Sequence, residues 1–496
     1  MAKASKNRAS KLPYQSTSQL TLEGFETPFV QNLSAKNRWV ILANQIPWDQ
    51  IVSIYEKRMR NGTFGASSIN GRVIIGSLVI KHLCNLSDED TILHIQENMY
   101  MQYFIGYSGF SNEAPFDPSL FVEIRKRLGI EQINAINEKI YEISKEKKSK
   151  STDPSESPPL LHDNTASDQT TITHDGRLLV DATVSPQDIA YPTDLNMLND
   201  SREKSEELID VLFNPLMHGN NKPRSYRKKA RHAYLCTAQK KTKSKQEIRS
   251  ALRKQLGYLR RNIKHIQKLL SSYHENPLDE KQNKYFEVIR EVYRQQKEMY
   301  DEQTHSIENR IVSIHQPHVR PIVRGKAKAK VEFGAKINLS LVNGFSFLDH
   351  LSWEAYNEGT LLMDSVEQYK RRHGFFPKEV LADKIYCNRQ NRQQLKLLDI
   401  KLIAKPLGRP SAVNKEHVRP GERNPIEGKF GQAKTAYGLD RIRARLSETS
   451  ESWIASIFLV LNLVKLAGQV PFTLLQKIIE IIFGFENQNR KILLIQ

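Results

Sequence analysis

The sequence predicts an α/β protein: a mixed sheet with helices that carries a helical-hairpin insertion and follows an all-helical domain. Two observations predict the sheet. Short apolar strand patterns alternate with helical patterns in the C-terminal half, and a hairpin pattern turns at Asn343-Gly344, a dipeptide typical of tight hairpin turns. A third observation predicts the helical domain, because apolar residues recur at helical spacing over about residues 37–147.

The composition indicates a basic globular protein. The 496 residues include 74 Lys and Arg against 55 Asp and Glu, which gives a formal net charge of +19. The mean hydropathy of −0.54 is typical of a soluble chain. An excess of positive charge attracts polyanions, nucleic acid above all, although a merely solvated basic surface would have the same composition.

Cysteine usage and apolar runs exclude several classes of protein. Cys84, Cys236 and Cys387 are far apart, which argues against a disulfide framework or a zinc site and is consistent with a reducing cytoplasm. The N-terminus has no apolar segment of the secretory type. The longest apolar run, residues 454–466, contains polar residues and is too short to span a bilayer, so we expect no membrane segment.

Four segments follow from the distribution of residues. Residues 1–36 are predicted to be a flexible basic arm, and residues 37–147 a helical domain that binds DNA, dimerises or both. Residues 148–170 are polar, contain three prolines and lack periodicity, which predicts a linker. Residues 171–486 are predicted to form the α/β domain, with a basic helical insertion at about residues 200–315.

Capping residues and apolar spacing predict the helices of the first domain. Ser87 begins a capping box, and Asp117 precedes a proline at the first helical position. The predicted helices are 71–86, 87–104, 117–127 and 131–147.

The insertion is predicted to be a basic helical hairpin. Residues 187–200 are interpreted as irregular and precede a helix at 203–212. Residues 222–268 contain 17 Lys or Arg and one acid, and apolar residues stepping by threes and fours predict an amphipathic helix with a cationic face. A break at Asn276-Pro277 leads to a second helix at 280–308. The candidate DNA-backbone contacts on the cationic face are Arg253, Lys254, Arg260 and Arg261; the alternative is an ordinary solvated helix.

After residue 320 the strand period returns, and strands alternate with helices. The predicted strands are 333–341 and 345–351 in the hairpin, then 379–383 and 400–404, and the predicted helices are 359–373 and 389–398. An earlier strand is predicted at 177–181. The order of these elements is typical of an α/β layer.

The last predicted helix carries two stripes. Arg423, Glu427 and Lys434 fall within about 40° of one another on a helical wheel. An adjacent apolar stripe, suited to a protein core, consists of Ile426, Phe430, Ala433 and Tyr437. The charged stripe alone favours a surface row of ion pairs.

Two further acids change that interpretation. Asp181 and Asp383 each follow a predicted strand, and the carboxyl ends of neighbouring parallel strands meet at one edge of a sheet. Together with Glu427 they would give three converging carboxylates, which repel one another unless divalent cations neutralise them. Two metal ions held in this way support phosphodiester cleavage or transfer, and Arg423 and Lys434 would then contact phosphates.

The sequence resembles the DDE transposases of bacterial insertion sequences, in the branch with an Arg-x3-Glu-x6-Lys signature on the last catalytic helix. The resemblance extends over nearly the whole chain from about residue 40. It rests on several ordered motifs: Leu179-Val-Asp181-Ala-Thr-Val, Tyr191-Pro-Thr-Asp194, the segment 315–326, Glu332-Phe-Gly334, Leu381-Ala-Asp383, the segment 423–439, Asn462-Leu-Val, Phe104-Ile-Gly106-Tyr and the segment 118–125.

The resemblance implies an RNase H-like catalytic domain in which Asp181, Asp383 and Glu427 bind two Mg²⁺ ions, with Mn²⁺ as a substitute. It implies nicking at element ends, attack of the freed 3′-hydroxyl on target DNA, and a dimer or higher oligomer on double-stranded DNA in the bacterial cytoplasm. The family often has Tyr three residues before the Arg, where this chain has Pro420, so the role of that Tyr is absent or taken by another residue. The alternatives are a metal-dependent nuclease, an immobile domesticated relative, or a catalytically dead DNA-binding protein.

Overall fold

A computed structural model of the chain describes residues 33–57, 69–151, 174–323, 331–405 and 421–468. These residues form two compact units. The first unit contains the described residues up to Ser185, the segment Ile337–Leu351 and those from Tyr356 onward; the second contains those of Pro186–Lys336 together with Ser352–Ala355. Most of the predicted basic arm, the predicted linker after residue 151, and Pro420 lie outside the described residues.

The N-terminal part of the first unit is helical. Asn98 divides the helix predicted from residue 87 to 104, which is a correction: its backbone is extended (φ −118°, ψ 105°) and its side chain caps the following helix. An interior cap of this kind does not disturb apolar periodicity, so spacing did not reveal it. The last helix reaches Ser151, inside the segment predicted as linker. The helices are α1 (Arg38–Gln45), α2 (Trp48–Glu56), α3 (Gly71–Cys84), α4 (Asp88–Glu97), α5 (Met99–Phe104), α6 (Leu120–Arg127) and α7 (Ile130–Ser151).

The second unit contains a bundle of helices. Its members are α8 (Asp194–Leu212), α9 (Pro215–His218), α10 (Arg227–Ala238), α11 (Lys245–Leu270) and α12 (Glu280–Glu302). The prediction of irregular structure through residue 200 is wrong, because the Thr193 hydroxyl accepts the Asn196 amide and starts α8 at Asp194. Capping boxes at Ser244 and Asp279 begin α11 and α12, and α12 ends six residues before the predicted position. The bundle confirms the predicted helical hairpin.

The sheet is mixed. Its strands are β1 (Arg177–Pro186), β2 (Arg320–Val323), β3 (Val331–Val342), β4 (Phe345–Ser352), β5 (Glu379–Leu381) and β6 (Lys401–Ile403). In the first unit the order is β3–β1–β5–β6, with β4 paired to β3, and β1, β5 and β6 are parallel. In the second unit β2 is antiparallel to the first residues of β3. The mixed sheet with many helices confirms the predicted α/β class, whereas the RNase H-like assignment stays a prediction.

The first unit also contains two 3₁₀ turns (Glu358–Leu361 and Lys384–Tyr386) and four helices: α13 (Leu362–His373), α14 (Arg389–Leu397), α15 (Asn424–Tyr437) and the long helix α16 (Ser447–Ala467). Among the described helices, α16 is long and apolar enough to cross a membrane by length and composition. Because 78% of its apolar window is buried inside the protein, and because it packs against α1, α3, α6 and α7, α16 is a core helix. The contacts of α16 therefore place the N-terminal helices in the same compact unit as the sheet.

Asn462 links three parts of this unit. Its side-chain amide donates to the carbonyl of Ser346 (2.7 Å) and its side-chain oxygen accepts the amide of Ser346 (2.8 Å). The same amide nitrogen is 3.2 Å from the side-chain oxygen of Asn137 on α7. All three residues are buried, so these bonds replace contacts with water that the polar atoms would otherwise lose.

We expect Asn462→Ala to lower the free energy of unfolding by about 1–3 kcal/mol, because it leaves buried groups of Ser346 without partners. Thermal and urea melts of the full chain measure the loss. Ser456→Ala is the matched control, since the Ser456 hydroxyl is equally buried on α16 and, among the described residues, donates to the Ser452 carbonyl of its own helix. Equal stability losses in the two variants would contradict the linking role of Asn462.

Candidate active site

The register of the parallel strands brings the two predicted aspartates together. Leu179 on β1 is paired with Leu381 on β5, so Asp181 and Asp383 occupy matching positions two residues further along. Asp181 lies inside β1, which continues to Pro186, and not at the end of a strand as predicted. Asp181 and Asp383 are still neighbours. Strand β5 ends at Leu381, so the β1–β5 pairing stops just before the level of Asp181.

Local backbone bonds orient both carboxylates. The Asp181 Oδ1 atom accepts the amide of Ala182 (2.9 Å). Asp383 caps the 3₁₀ turn that begins at Lys384, and its Oδ1 accepts the Lys384 amide (2.7 Å). Each aspartate therefore has one oxygen fixed by its own chain, as short capping side chains commonly do.

Helix α15 supplies the third acid and a base. Gly421 has a positive φ of 98°, and its carbonyl accepts the Asn424 amide, so the chain turns just before Arg423 and the helix. The predicted apolar stripe is confirmed, since Ile426, Phe430, Ala433 and Tyr437 are all buried. The buried stripe fixes the rotation of α15 and leaves Glu427 exposed and Lys434 half-buried on another face.

One guanidinium group gathers all three acids. Arg423 Nη2 is 2.9 Å from Asp181 Oδ2, and Nη1 is 3.2 Å from Asp383 Oδ1. The contact to Glu427 is looser, with 3.8 Å between Nη2 and Oε1. The strongest contacts of Arg423 are therefore made to the sheet, and the contact along the helix, to Glu427, is the longest of the three.

The three acids differ in exposure, and Asp181 is the most buried of them. The side chain of Asp181 is 15% exposed, against 45% for Asp383 and 57% for Glu427. Burial raises the pKa of Asp181 from 3.8 to about 6; Arg423 opposes the shift, and the charges of Glu358 and Asp383 add to it. Asp181 is thus a buried acid with a raised pKa beside a cation, a combination that is common at functional sites.

Two residues near this site were not found from the sequence. Glu358, at the start of the 3₁₀ turn, acts electrostatically on Asp181, and the phenol of Tyr386 is buried with its hydroxyl donating to Asn338 (2.9 Å). Burial, followed by the charges of Glu358 and Asp181, raises the pKa of Tyr386 well above its ordinary value. Neither residue is part of a motif with regular spacing, so only tertiary packing reveals them.

The donor set fits a divalent cation in its chemistry. Carboxylate oxygens are the ligands that Mg²⁺ and Mn²⁺ prefer. Within the part of the chain that the structure describes, however, there is no group of three His, Cys, Asp or Glu arranged closely enough to hold a metal ion. The three carboxylates face the Arg423 guanidinium instead.

The predicted cationic face is present on α11. Its inward side is buried, including Leu256, Leu259 and Ile266, while Arg253, Lys254 and Arg260 are exposed. Arg261 is half-buried, with its guanidinium 4.7 Å from the ring of Tyr226. The next helix contrasts with it: on α12, Arg294 pairs with Glu291 and Glu298, and Lys297 with Asp301.

Two parts of the chain match known protein families. Residues 380–464 match the family described as "Transposase DDE domain", and residues 28–127 match the family described as "Transposase domain (DUF772)". A Rhizobium meliloti protein with the name "Uncharacterized protein ORF8 in nfe locus" is 29% identical to this chain over 201 residues, which are 40% of this chain and 84% of that protein. No solved structure matches the chain significantly.

The raised pKa of Asp181 predicts a stability effect in metal-free protein. A carboxyl with a raised pKa in the folded state contributes stability below about pH 4 that is lost as the pH rises through about 6. We therefore expect Asp181→Asn, which removes the charge, to be more stable than the parent at pH 8 by about 1–3 kcal/mol, with the difference vanishing near pH 4.

Thermal melts in EDTA between pH 4 and 8 measure this difference. Asp440→Asn, at an exposed acid after α15, is the control and should melt like the parent throughout. A destabilised Asp181→Asn protein at pH 8 would show that the Arg423 pair outweighs the burial of the charge.

Proposed function

From family matches that indicate an insertion-sequence DDE transposase, we propose a metal-dependent enzyme that nicks DNA at the ends of its element and transfers the freed 3′-hydroxyl into target DNA. The observation that carries the proposal is the convergence of Asp181, Asp383 and Glu427 on the guanidinium of Arg423. Transposases of this family normally use divalent metals, and their substrates are DNA.

Each side chain receives a role in this proposal. Asp181, Asp383 and Glu427 would hold two Mg²⁺ ions, with Mn²⁺ as a substitute. Such ions, when bound, supply activation of the attacking water or hydroxyl and stabilisation of the leaving oxygen. Arg423 would contact a phosphate with two N–H groups. Lys434, seven residues after Glu427, would contact a phosphate as a point charge.

The basic helix α11 is proposed to hold the DNA backbone. A one-sided set of cations repels itself unless an anion compensates it. The described contacts include no ion pair for Arg253, Lys254 or Arg260, whereas two of the five cations of α12, Arg294 and Lys297, form ion pairs within their own helix. A polyanion is the partner that this difference in pairing favours.

Paired DNA ends would require a dimer or higher oligomer of the protein. We propose that this complex acts in the bacterial cytoplasm.

The active-site assignment is tested with purified protein, Mg²⁺ and labelled duplex from the DNA that flanks the gene. We expect Asp181→Ala, Asp383→Ala and Glu427→Ala each to reduce nicking and strand transfer by about a thousandfold or more, since each removes a metal ligand. Binding of the duplex should persist, and Asp440→Ala should act like the parent. Undiminished nicking in all three variants would overturn the assignment, and nicking without transfer in the parent would favour the nuclease alternative.

The role of α11 is tested by salt dependence. We expect replacement of Arg253, Lys254, Arg260 and Arg261 by Gln to weaken duplex binding and to reduce the slope of log K against log salt by about one for each lost phosphate contact. The matched control replaces four α12 cations, Lys281, Lys284, Arg290 and Arg294. Equal weakening by both sets would mean that net charge alone attracts DNA.

A further inference from the structure

The Arg423 guanidinium occupies the space that the three carboxylates share. Its two terminal nitrogens contact Asp181, Asp383 and Glu427 at 2.9, 3.2 and 3.8 Å. A divalent cation of the Mg²⁺ type sits about 2.1 Å from each ligand oxygen and repels a neighbouring positive charge. The same carboxylate oxygens therefore cannot hold both the guanidinium and the metal.

The present contacts of Arg423 also leave one donor unused. Its Nε is buried and has no hydrogen-bond acceptor among the described residues. A guanidinium offers Nε and one terminal nitrogen as a fork that matches two oxygens of a phosphate or carboxylate. A buried N–H without an acceptor is costly, so a ligand that supplies the missing oxygen would favour a different position of this side chain.

The backbone beside Arg423 is held independently of these contacts. The residue directly precedes α15, whose rotation is fixed by the buried side chains of Ile426 and Phe430. Only the side chain would need to move for the carboxylates to become free. The side chain is 20% exposed, which leaves it a route toward solvent.

We propose that Arg423 is an exchangeable counter-ion: it neutralises the three carboxylates in the metal-free protein and leaves them when divalent cations bind, with a DNA phosphate as its new acceptor. The inference rests on the proposed metal site and adds regulation to it. Arg423 opposes metal binding in the absence of DNA, so the ligand that draws Arg423 away also strengthens metal binding.

The test is Mn²⁺ binding to the full-length protein without DNA, measured by electron paramagnetic resonance of free Mn²⁺ after removal of bound metal. We expect Arg423→Gln to bind Mn²⁺ about tenfold more tightly than the parent, because the competing cation is gone. Arg423→Lys should be intermediate, since an ammonium keeps the charge without the fork. A double variant, Asp181→Asn with Asp383→Asn, sets the level of binding outside the site.

A second measurement guards against a folding defect. Arg423→Gln should melt at a lower temperature than the parent in EDTA, and Mn²⁺ should raise its melting temperature more than that of the parent. If Arg423→Gln and Arg423→Lys bind Mn²⁺ no more tightly than the parent, while the double variant loses binding, the exchange is wrong and the metal site stands. If no protein exceeds the double variant, the metal site and the exchange are both wrong.

Discussion

Electrostatic repulsion among three carboxylates is the constraint on which this structure depends. Negative charges that converge on one partly buried place destabilise the fold unless a cation is present. Arg423 provides that cation, and its planar fork contacts Asp181 and Asp383 at once, which a single ammonium would do less well. The compensation is incomplete, because burial still raises the pKa of Asp181 to about 6.

The surrounding elements hold this arrangement in place. Register between β1 and β5 sets Asp181 opposite Asp383, and the buried stripe of α15 sets the direction of Arg423 and Glu427. Helix α16 packs against α15 and the N-terminal helices, and its Asn462 bonds to the β3–β4 hairpin. The site is therefore carried by packed elements, while the charged atoms meet where β5 ends.

The sequence was sufficient for much of the fold and part of the site. The hairpin at Asn343, the stripe on α15 and the cationic face of α11 follow from periodicity, which local chemistry largely determines. The cap at Asn98, the start of α8 at Asp194 and the extension of β1 past Asp181 were not predicted, since a single cap or a neighbouring strand overrides spacing. The contacts of Arg423 and the nearness of Glu358 depend on tertiary approach between segments far apart in the chain, so no local pattern encodes them.

In the proposed exchange, a guanidinium that neutralises the acids and has one unused donor couples two ligands. Metal ions would favour the state in which the carboxylates are free, and phosphate would favour the state in which Arg423 has left them. Since both ligands favour the same state, each strengthens the binding of the other by the same factor. An enzyme that cleaves DNA would then assemble its metal site mainly when DNA is present. An Arg before α15, rather than a neutral residue, would therefore serve this coupling as well as contact with phosphate.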